Sequence, residues 1–454
     1  MKFSPKLDSS FEPMSIVLKE YREKVKNADS KKLKICIERN NGYNFIYCID
    51  IFSDEDKNVE NLVIVERIIK SILWVTGGYK IYLCGDTYIC EQIKQIYSKD
   101  GKRAFDVNFM ETVYEKQFEV ISCDEESFPE QNACNVKIGG HLDGCRIGFD
   151  AGGSDRKVSA VIDGKVVYSE EVVWFPKTNS DYRYHRDGIM QAMKTAASKM
   201  PRVDAIGVSS AGVYVDNKIM VASLFLKVPK EDFDKHVKNM YIDIAKEIGA
   251  PLEVANDGDV TALAGAIDLE DNSVLGIAMG TSEAGGYINK DGQLNGWLSE
   301  LAFVPIDLNE SAMVDEWSGD FGCGVKYFSQ DAVIKLAELG GFKFDKKSSP
   351  AEKLKVIQAL MSEGSDFARQ IYSDIGTYLG YAIPYYAEFY EIKHLLLLGR
   401  VTSGEGGSII VNRAKEILNN EFPELKDINI TMPDESNKRV GQSIAAASLA
   451  EIRN

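Results

Sequence analysis

Alternating hydrophobic and polar residues near the start of the chain predict a small α/β domain. Two alternating runs flank Asn41-Gly42, and an Asn-Gly pair between such runs is typical of a β-hairpin. The next run repeats its apolar residues at helical spacing and stops at Gly77-Gly78, which indicates a helix. In order, we predict strands over 33–38 and 45–50, a helix over 61–75, a strand over 80–85 and a helix over 88–97.

A polar and acidic stretch divides the chain near residues 124–146. It contains a proline and few apolar residues, which is typical of a linker or a long loop. Beyond it the pattern changes to a three-strand unit with an Asp163-Gly164 turn, followed by alternating helices and strands. The predicted strands cover 147–150, 158–162, 165–168, 205–210 and 252–257, and the predicted helices cover 188–199, 230–248 and a segment from 260.

The same order of elements then starts again, which predicts an internal duplication. A second three-strand unit begins at 274–281, continues through 285–289 and reaches an Asp291-Gly292 turn, followed by helices over 331–389, a strand over 394–399 and a helix over 441–452. Two such units with a hinge between them would form two lobes whose glycine turns hold a nucleotide triphosphate. Two ordinary α/β domains that share an element order are the alternative.

Composition and charge narrow the classes of protein. The chain has 454 residues and 44% hydrophobic content, enough for several domains with sizeable cores. Its formal net charge of -16 repels nucleic-acid phosphates, so we expect no nucleic acid partner. We find no apolar run long enough to span a bilayer and no signal-peptide core, so we expect a cytoplasmic location and no membrane partner. The eight scattered cysteines, with no CxxC pair, are typical of reduced and buried thiols.

The stretch from Asp150 to Ser154 is the first candidate for chemistry. A buried strand ends in the aspartate, and a glycine pair and a hydroxyl residue follow. Backbone N–H groups of a glycine turn can approach an anion that a Cβ would hold off, and the carboxylate can reach a metal bound by that anion. This pattern favours a nucleotide phosphate site, although it is not a P-loop, because no Gly-Lys-Ser/Thr closes it. An ordinary turn, in which the aspartate is only a cap, is the alternative.

Three further motifs follow this turn in the order of a known family. The four are Asp150 to Ser154, similar to Asp-x-Gly-Gly-Thr; Asn256 to Gly265, similar to a segment that begins with Asn-Asp; Gly280 to Gly286, at the place of a second phosphate loop; and Leu398 to Ser403, at the place of an adenosine-side glycine loop. The array resembles the ROK family of sugar kinases and repressors, within the actin-like ATPase superfamily. The resemblance covers roughly 146–452. It implies a two-lobed actin-like, ribonuclease H-like α/β fold, here with an additional N-terminal α/β domain.

The resemblance implies a role for each of these residues. Asp257 is expected to accept the proton of the attacking hydroxyl, and Asn256 and Glu300 are expected to bind the substrate. Asp150 is expected to hold Mg²⁺ through water. For Asn256 and Asp257 a helix N-cap is the alternative, because both residue types favour that position. The expected ATP and phosphate ligands are Gly152, Gly153, Ser154, Gly280, Thr281 and Gly399.

Several positions depart from the family pattern on the substrate side. Phe303 stands where the family has a zinc-binding histidine, Val325 where it has a sugar-binding glutamate, and Ser223 where it has an asparagine. Of three zinc-binding cysteines only Cys323 remains, so no zinc site is expected. A pocket that loses these polar partners cannot bind an ordinary hexose in the family's manner. A different substrate, recognition by other residues and loss of catalysis are the three explanations that stay open.

The second phosphate loop also carries an acidic residue, Glu283. A carboxylate close to phosphate groups is repelled by them. We therefore expect Glu283 either to face away from the nucleotide or to bind a cation.

The N-terminal domain does not resemble the helix-turn-helix domain of family repressors. It is strand-rich and mildly acidic, so DNA binding through this part is disfavoured. Its helix–strand–helix order is similar to the order around 398–418, and we hypothesise that it is a degenerate copy of one actin-like lobe without phosphate ligands. A lid, a dimer surface and a regulatory ligand site are its candidate roles.

The sequence therefore predicts three domains and one leading function. The domains are an N-terminal domain over 1–140, lobe I over 146–268 with a C-terminal helix over 438–454, and lobe II over 269–437. The leading function is phosphorylation of a hydroxyl group on a sugar or sugar-like metabolite, with ATP and Mg²⁺ as cofactors. A non-catalytic metabolite sensor of the ROK type and an acceptor-independent ATPase are the alternatives. The expected partner is a small molecule, a sugar, and a homodimer is a candidate assembly.

Overall fold

The computed structural model describes residues 1–134, 137–432 and 435–452 of the chain. It is a mixed α/β protein that divides into two compact units. The larger unit consists of Met1–Cys134, Ile277–Gly285 and Trp297–Met432, and the smaller unit consists of Asn135–Gly276, Gly286–Gly296 and Pro433–Asn454. Each unit is therefore assembled from segments that lie far apart in the sequence.

The elements alternate along the chain much as the sequence pattern predicts. In chain order the strands are β1 (Ser30–Glu38), β2 (Asn44–Phe52), β3 (Lys80–Cys84), β4 (Glu119–Ser122), β5 (Cys145–Ala151), β6 (Asp155–Ile162), β7 (Lys165–Val173), β8 (Ala205–Ser210), β9 (Val213–Val215), β10 (Lys218–Val221), β11 (Leu252–Asn256), β12 (Val274–Met279), β13 (Glu283–Ile288), β14 (His394–Leu398) and β15 (Asn429–Thr431). The helices are α1 (Met14–Lys26), α2 (Asn58–Thr76), α3 (Thr87–Ile96), α4 (Ala104–Tyr114), α5 (Tyr182–Ala197), α6 (Lys230–Asp232), α7 (Met240–Ile248), α8 (Asp257–Leu269), α9 (Gln330–Leu339), α10 (Pro350–Ser362), α11 (Asp366–Tyr386), α12 (Glu405–Glu421) and α13 (Glu435–Ala447).

The N-terminal part of the larger unit contains a four-stranded sheet in the order β2-β1-β3-β4. Strand β1 is antiparallel to β2 and to β3, and β3 is parallel to β4. The turn between β1 and β2 contains Asn41 and Gly42 with φ values of 59° and 71°, a left-handed conformation that these residue types tolerate. The predicted hairpin is therefore confirmed.

The rest of the larger unit is mainly helical. A second sheet has the order β13-β12-β14-β15, in which β14 and β15 are parallel. Helices α11 and α12 pack against each other at two glycines, Gly376 and Gly380, where a Cβ would lie 2.7 Å from the Arg413 side chain and 2.8 Å from the Ile417 side chain. Within the described ranges, none of the helices combines the length and the apolar character that a membrane crossing requires.

The smaller unit is built on a five-stranded sheet in the order β11-β8-β5-β6-β7. Strand β5 is parallel to β8 and antiparallel to β6, and the predicted Asp163-Gly164 turn joins β6 to β7 with φ values of 45° and 76°. Helix α13 crosses the sheet at Gly207, where a Cβ would lie 1.7 Å from the Ala446 carbonyl oxygen. The lack of a side chain at Gly207 is therefore what lets the helix approach the sheet so closely.

Several elements differ from the prediction: α1, α4 and β4 were not predicted, and α13 ends at Ala447 instead of 452. Three further differences have a local cause. The helix predicted over 230–248 is broken, because residues Phe233–Val237 form a wider π-helical turn that the Lys238 N–H closes on the Phe233 carbonyl at 2.9 Å. Helix α5 begins at Tyr182, six residues before the predicted start at 188, because the Asp181 side chain caps it. The third strand that was predicted after the Asp291-Gly292 turn is reduced to one bridge between Ile288 and Leu294. The side chain of Asn289 accepts two backbone N–H groups there and replaces strand pairing with a turn.

The three-domain division stays a prediction. Residues 135–136 of the predicted linker and residues 453–454 of the predicted C-terminal helix lie outside the described residues. The central pairing of the N-terminal sheet, β1 with β3, is antiparallel, whereas β5 and β8 of the smaller unit are parallel. This strand direction distinguishes the N-terminal sheet from the smaller unit. The hypothesised likeness to the order around 398–418 stays a prediction.

Candidate active site

Asp150 lies near the C-terminal end of β5, in the smaller unit. Its register partner on the parallel strand β8 is Ser209, whose hydroxyl donates a hydrogen bond of 2.8 Å to the Asp150 carboxylate. Burial raises the pKa of Asp150, and the bond from Ser209 and the charge of Lys157 oppose this rise. The structure therefore places a fixed and partly buried carboxylate where the sequence predicts a metal ligand.

The predicted phosphate turn joins β5 to β6. Gly152 packs closely, since a Cβ there would lie 2.7 Å from the Asp155 carbonyl oxygen, and its own carbonyl accepts a 2.8 Å bond from Trp174 Nε1. Gly153 and Ser154 are exposed. The turn is thus anchored on one side and open to solvent on the other, as an anion-binding turn must be.

Asn256 and Asp257 stand at the junction of β11 and α8. Asn256 is the N-cap of α8, with its Oδ1 accepting from the Gly258 N–H at 2.7 Å and its Nδ2 donating to the Gly212 carbonyl at 2.8 Å. The capping role considered from the sequence is therefore present at Asn256, and both polar atoms of its amide have protein partners. A role in substrate binding stays a prediction.

Asp257 is the first residue of α8, and as a residue it is exposed to solvent. Burial among the surrounding groups raises the pKa of Asp257, and the negative charge of Asp150 raises it further. Although the residue as a whole is exposed, protein groups surround its carboxylate, and the desolvation they cause is what raises this pKa. The smaller unit thus contains both predicted carboxylates, and the charge of Asp150 acts on Asp257.

Gly280 and Thr281 occupy the turn between β12 and β13, and with Gly399 they belong to the larger unit. The Gly280 N–H donates to the Ser282 carbonyl at 3.0 Å, and Thr281 is exposed. Gly399 follows β14 with φ 96°, and a Cβ there would lie 2.3 Å from the Met279 carbonyl oxygen. Two predicted nucleotide-binding glycine loops are therefore adjacent in this unit.

Glu283 faces away from the exposed turn. Its side chain is buried, with 3% of its surface exposed, and its Oε1 accepts a long bond of 3.5 Å from the Tyr386 hydroxyl. Burial raises the pKa of Glu283 well above its usual range, and the charge of Glu300 adds to the rise. Of the two alternatives considered from the sequence, the structure therefore supports a side chain that points into the core.

Glu300 is attached to the C-terminal end of helix α2. Its backbone N–H donates to the Trp74 carbonyl at 3.0 Å. Three residues later, the Phe303 ring lies 4.2 Å from the Trp74 ring, centroid to centroid. Val325 and Cys323 pack in one small cluster with Ala302. The positions that depart from the family pattern thus form an apolar cluster, while Ser223 lies exposed in the smaller unit.

Sequence reasoning predicted helix α2 but gave its charged residues no role. Most of α2 is buried on every side, yet it contains the charged residues Glu66, Arg67 and Lys70. Charged side chains inside an otherwise apolar helix are a signal of buried partners, because such groups are almost never fully buried unpaired. That signal is readable in the sequence, although the identity of the partners is not.

Comparisons with known proteins agree with this arrangement. The model of the ROK family matches residues 146–450. The structure is similar to a ROK hexokinase from Thermus thermophilus, with a TM-score of 0.52 and 16% identity, covering 66% of this chain and 98% of that chain. It is also similar to a ROK family transcriptional regulator, a homolog of the E. coli MLC protein, with a TM-score of 0.51 and 17% identity. This match covers 68% of this chain and 79% of that chain. No curated protein matches the sequence.

The described chain has the actin-like α/β fold with an additional N-terminal part, as the sequence predicts. The chain belongs to the ROK family. The two similar structures are a kinase and a transcriptional regulator, so membership alone does not distinguish these activities.

Proposed function

We propose that the protein is a kinase that transfers a phosphoryl group from ATP to a hydroxyl group of a sugar or sugar-like metabolite. The observation that carries this proposal is the pair of carboxylates in the smaller unit. Burial and the charge of Asp150 both raise the pKa of Asp257, and a general base works best when its pKa approaches the working pH. Membership of the ROK family and the fold shared with a hexokinase support the proposal.

Asp257 acts in this proposal as the base that takes the proton of the acceptor hydroxyl. Its place at the first position of α8 fixes its backbone, because Asn256 caps the helix and is itself bonded to Gly212. Asp257 as a residue is exposed at the surface, so a hydroxyl group can approach it from solvent. Asn256 and Glu300 are the proposed substrate ligands, and Asn256 also holds the base in position.

The proposed ATP ligands lie in individual glycine turns. Gly152 and Gly399 accept no Cβ without a close contact, so each keeps a bare backbone at its turn. A bare backbone lets N–H groups approach phosphate oxygens. The proposed ligands are Gly152, Gly153 and Ser154 of the smaller unit, and Gly280, Thr281 and Gly399 of the larger unit.

Asp150 fits a hard cation such as Mg²⁺. The cation prefers oxygen ligands, and the Asp150 carboxylate offers them from a side chain that Ser209 fixes at 2.8 Å. Burial raises the pKa of Asp150 and thereby favours its neutral form. A bound cation would oppose this effect, because a nearby positive charge favours the ionised carboxylate, which is the form that binds a cation. When bound, Mg²⁺ neutralises charge on the transferring phosphoryl group.

A metabolite sensor without catalysis is the second candidate function. The observation in its favour is the apolar cluster around Phe303 and Trp74, where the family pattern has polar substrate ligands. The similarity to a ROK transcriptional regulator is consistent with it. A sensor would keep a ligand site but lose the need for Asp257 as a base.

The test is release of ADP from ATP and Mg²⁺ across a panel of monosaccharides, amino sugars and polyols. A kinase releases ADP only with a suitable acceptor, and Asp257→Ala lowers that rate by at least about 100-fold. Asp268→Asn is the matched control, since Asp268 is an exposed carboxylate on the same helix. Binding of a panel compound without ADP release would support the sensor, and ADP release without any acceptor would support an ATPase.

A further inference from the structure

The loop that contains Asp320 is held by three buried cations of the N-terminal part. Asp320 Oδ2 lies 2.6 Å from Arg67 Nη1, 2.6 Å from Lys70 Nζ and 2.8 Å from Arg103 Nη1. All four side chains are almost completely buried, with at most 3% of their surface exposed. The partners lie far apart in the sequence, so this cluster joins the first third of the chain to the region that follows residue 297.

The buried charges of this cluster hold the Asp320 loop firmly in place. A buried charge is very unfavourable unless opposite charges and hydrogen bonds compensate it. Asp320 compensates three cations at one oxygen, and Glu66 provides a further carboxylate that pairs with Arg103. Removal of the Asp320 charge would leave a cationic excess without its main partner, so the loop cannot leave this position without a large penalty.

The same helix also holds the segment that carries Glu300. The carbonyl groups of Val75 and Trp74, at the end of α2, accept hydrogen bonds from the Ser299 and Glu300 N–H groups at 2.9 and 3.0 Å. Carbonyl groups at a helix C-terminus lack partners within the helix, so these bonds satisfy the helix and fix the segment together. The ring contact of 4.2 Å between Trp74 and Phe303 adds a side-chain attachment three residues further on.

The two attached segments are also joined to each other. The Gly324 N–H donates to the Val304 carbonyl at 2.9 Å. Cys323 Sγ lies 3.8 Å from Lys70 Nζ, so the end of the Asp320 loop contacts the same lysine. Displacement of the Asp320 loop would therefore also displace residues 299–304.

We propose that helix α2 positions Glu300 for the substrate, with Asp320 and Trp74 as the positioning residues. This inference rests on the proposed function and gives the N-terminal part a role in it. Trp74 has no exposed surface, and the three cations are buried as well. Buried attachments of this kind describe a permanent support of the substrate segment. A lid, in contrast, would have to separate from the rest of the unit in each cycle.

The first experiment uses Asp320→Asn in the full chain. We expect the KM for the acceptor to rise at least about tenfold while the KM for ATP changes less than about twofold, because only the substrate segment loses its support. Asp374→Asn is the matched control. Asp374 is a buried carboxylate of the same unit, and it accepts bonds from the Lys6 and Leu7 N–H groups at 3.0 and 2.7 Å. Equal acceptor KM values in Asp320→Asn and wild type would overturn the proposal.

A second pair of variants keeps the test decisive if Asp320→Asn does not fold. Trp74→Phe retains a ring against Phe303, whereas Trp74→Leu removes it. We expect the acceptor KM of Trp74→Phe to stay closer to wild type than that of Trp74→Leu. Equal values in both would argue against positioning through the ring contact.

Hydrogen exchange separates failure of this inference from failure of the proposed kinase function. Faster amide exchange in residues 299–304 of Asp320→Asn or Trp74→Leu, as well as in 315–325, is the expected result. Exchange changes confined to 315–325 would overturn the positioning role even in an active kinase. Absence of acceptor-dependent ADP release in the wild type would instead contradict the kinase function and leave the exchange result readable.

Discussion

Ser209 donates a hydrogen bond of 2.8 Å to Oδ1 of Asp150, its direct register partner on the neighbouring parallel strand. The bond lies at the C-terminal end of the strands, the edge where ligands bind in open α/β sheets. Because the hydroxyl is itself buried, with 3% of its surface exposed, it fixes the carboxylate from inside the sheet. The orientation of a candidate metal ligand is thus determined by the strand register.

Ser209→Ala should weaken the binding of Mg²⁺ without loss of the fold. One hydrogen bond of this kind contributes about 1 kcal/mol, so the Mg²⁺ concentration for half-maximal ADP release should rise about fivefold. A Mg²⁺ titration of the acceptor-dependent rate measures this change. Ser159→Ala is the control, since it removes another buried hydroxyl of the same sheet, one bonded to Ser169 at 3.2 Å. The same shift in both variants would contradict a specific role of Ser209.

The acceptor-dependent rate should fall on acidification at a higher pH than an ordinary aspartate would cause. Burial and the charge of Asp150 raise the pKa of Asp257, and only its ionised form can accept the proton. The acidic limb of the profile of kcat/KM should therefore have a midpoint above about 3.9. Circular dichroism at each pH controls for unfolding. A rate that stays constant until the protein unfolds would argue against Asp257 as the base.

Glu283→Gln should stabilise the protein at neutral and alkaline pH. Burial raises the pKa of Glu283 in the folded state, so the unfolded chain releases this proton at a lower pH than the folded protein does. Wild-type stability is therefore full below the ordinary pKa of glutamate and falls as the pH rises through it. At pH 8 we expect the thermal midpoint of the variant to be higher by about 2 °C or more, with the difference lost near pH 4.

Thermal unfolding at several pH values, with Glu363→Gln as control, measures this difference. Glu363 is an exposed glutamate of the same unit, so the same substitution there should leave the pH dependence unchanged. A stability difference that is the same at pH 4 and pH 8 would show that Glu283 is not held in its neutral form.

Gly207→Ala should destabilise the smaller unit strongly. The added Cβ would lie 1.7 Å from the Ala446 carbonyl oxygen, a backbone atom that cannot move without displacing α13. Overpacking of this kind lowers the free energy of unfolding by about 1–3 kcal/mol or more. Denaturant unfolding measures it, with Gly276→Ala as control, where the nearest atom would be at an ordinary 3.4 Å. Equal stability of both variants would contradict the close packing of α13 on the sheet.

Local patterns were sufficient for most of the fold. Asn-Gly and Asp-Gly turns, glycine stops and alternation predicted the hairpin turns and the positions of most strands, because each of these depends on a few neighbouring residues. The parallel pairing of distant strands was not predicted. The prediction of one continuous helix over 230–248 was wrong at Phe233–Val237, since apolar residues at helical spacing do not distinguish an α-helical turn from a π-helical turn. The division into two units was equally out of reach, because it depends on contacts between distant segments.

The candidate site was predictable only in part. Motif order placed Asp150 and Asp257 in one unit, and the structure brings their charges into interaction. The direction of Glu283 was open from the sequence, because a shift of one residue in a strand turns a side chain to the opposite face. The Arg67 and Asp320 pair spans 253 residues, and no local pattern reports such a partner.

The way the two units share the chain has a consequence for folding during synthesis. The larger unit needs residues up to Met432 and the smaller unit needs α13, so neither has its full set of segments until the last part of the chain has left the ribosome. Helix α2 emerges early and must keep Arg67 and Lys70 without Asp320 until that residue is made. Chaperone binding would therefore be most useful to this protein after α2 has emerged and before Asp320 has been made.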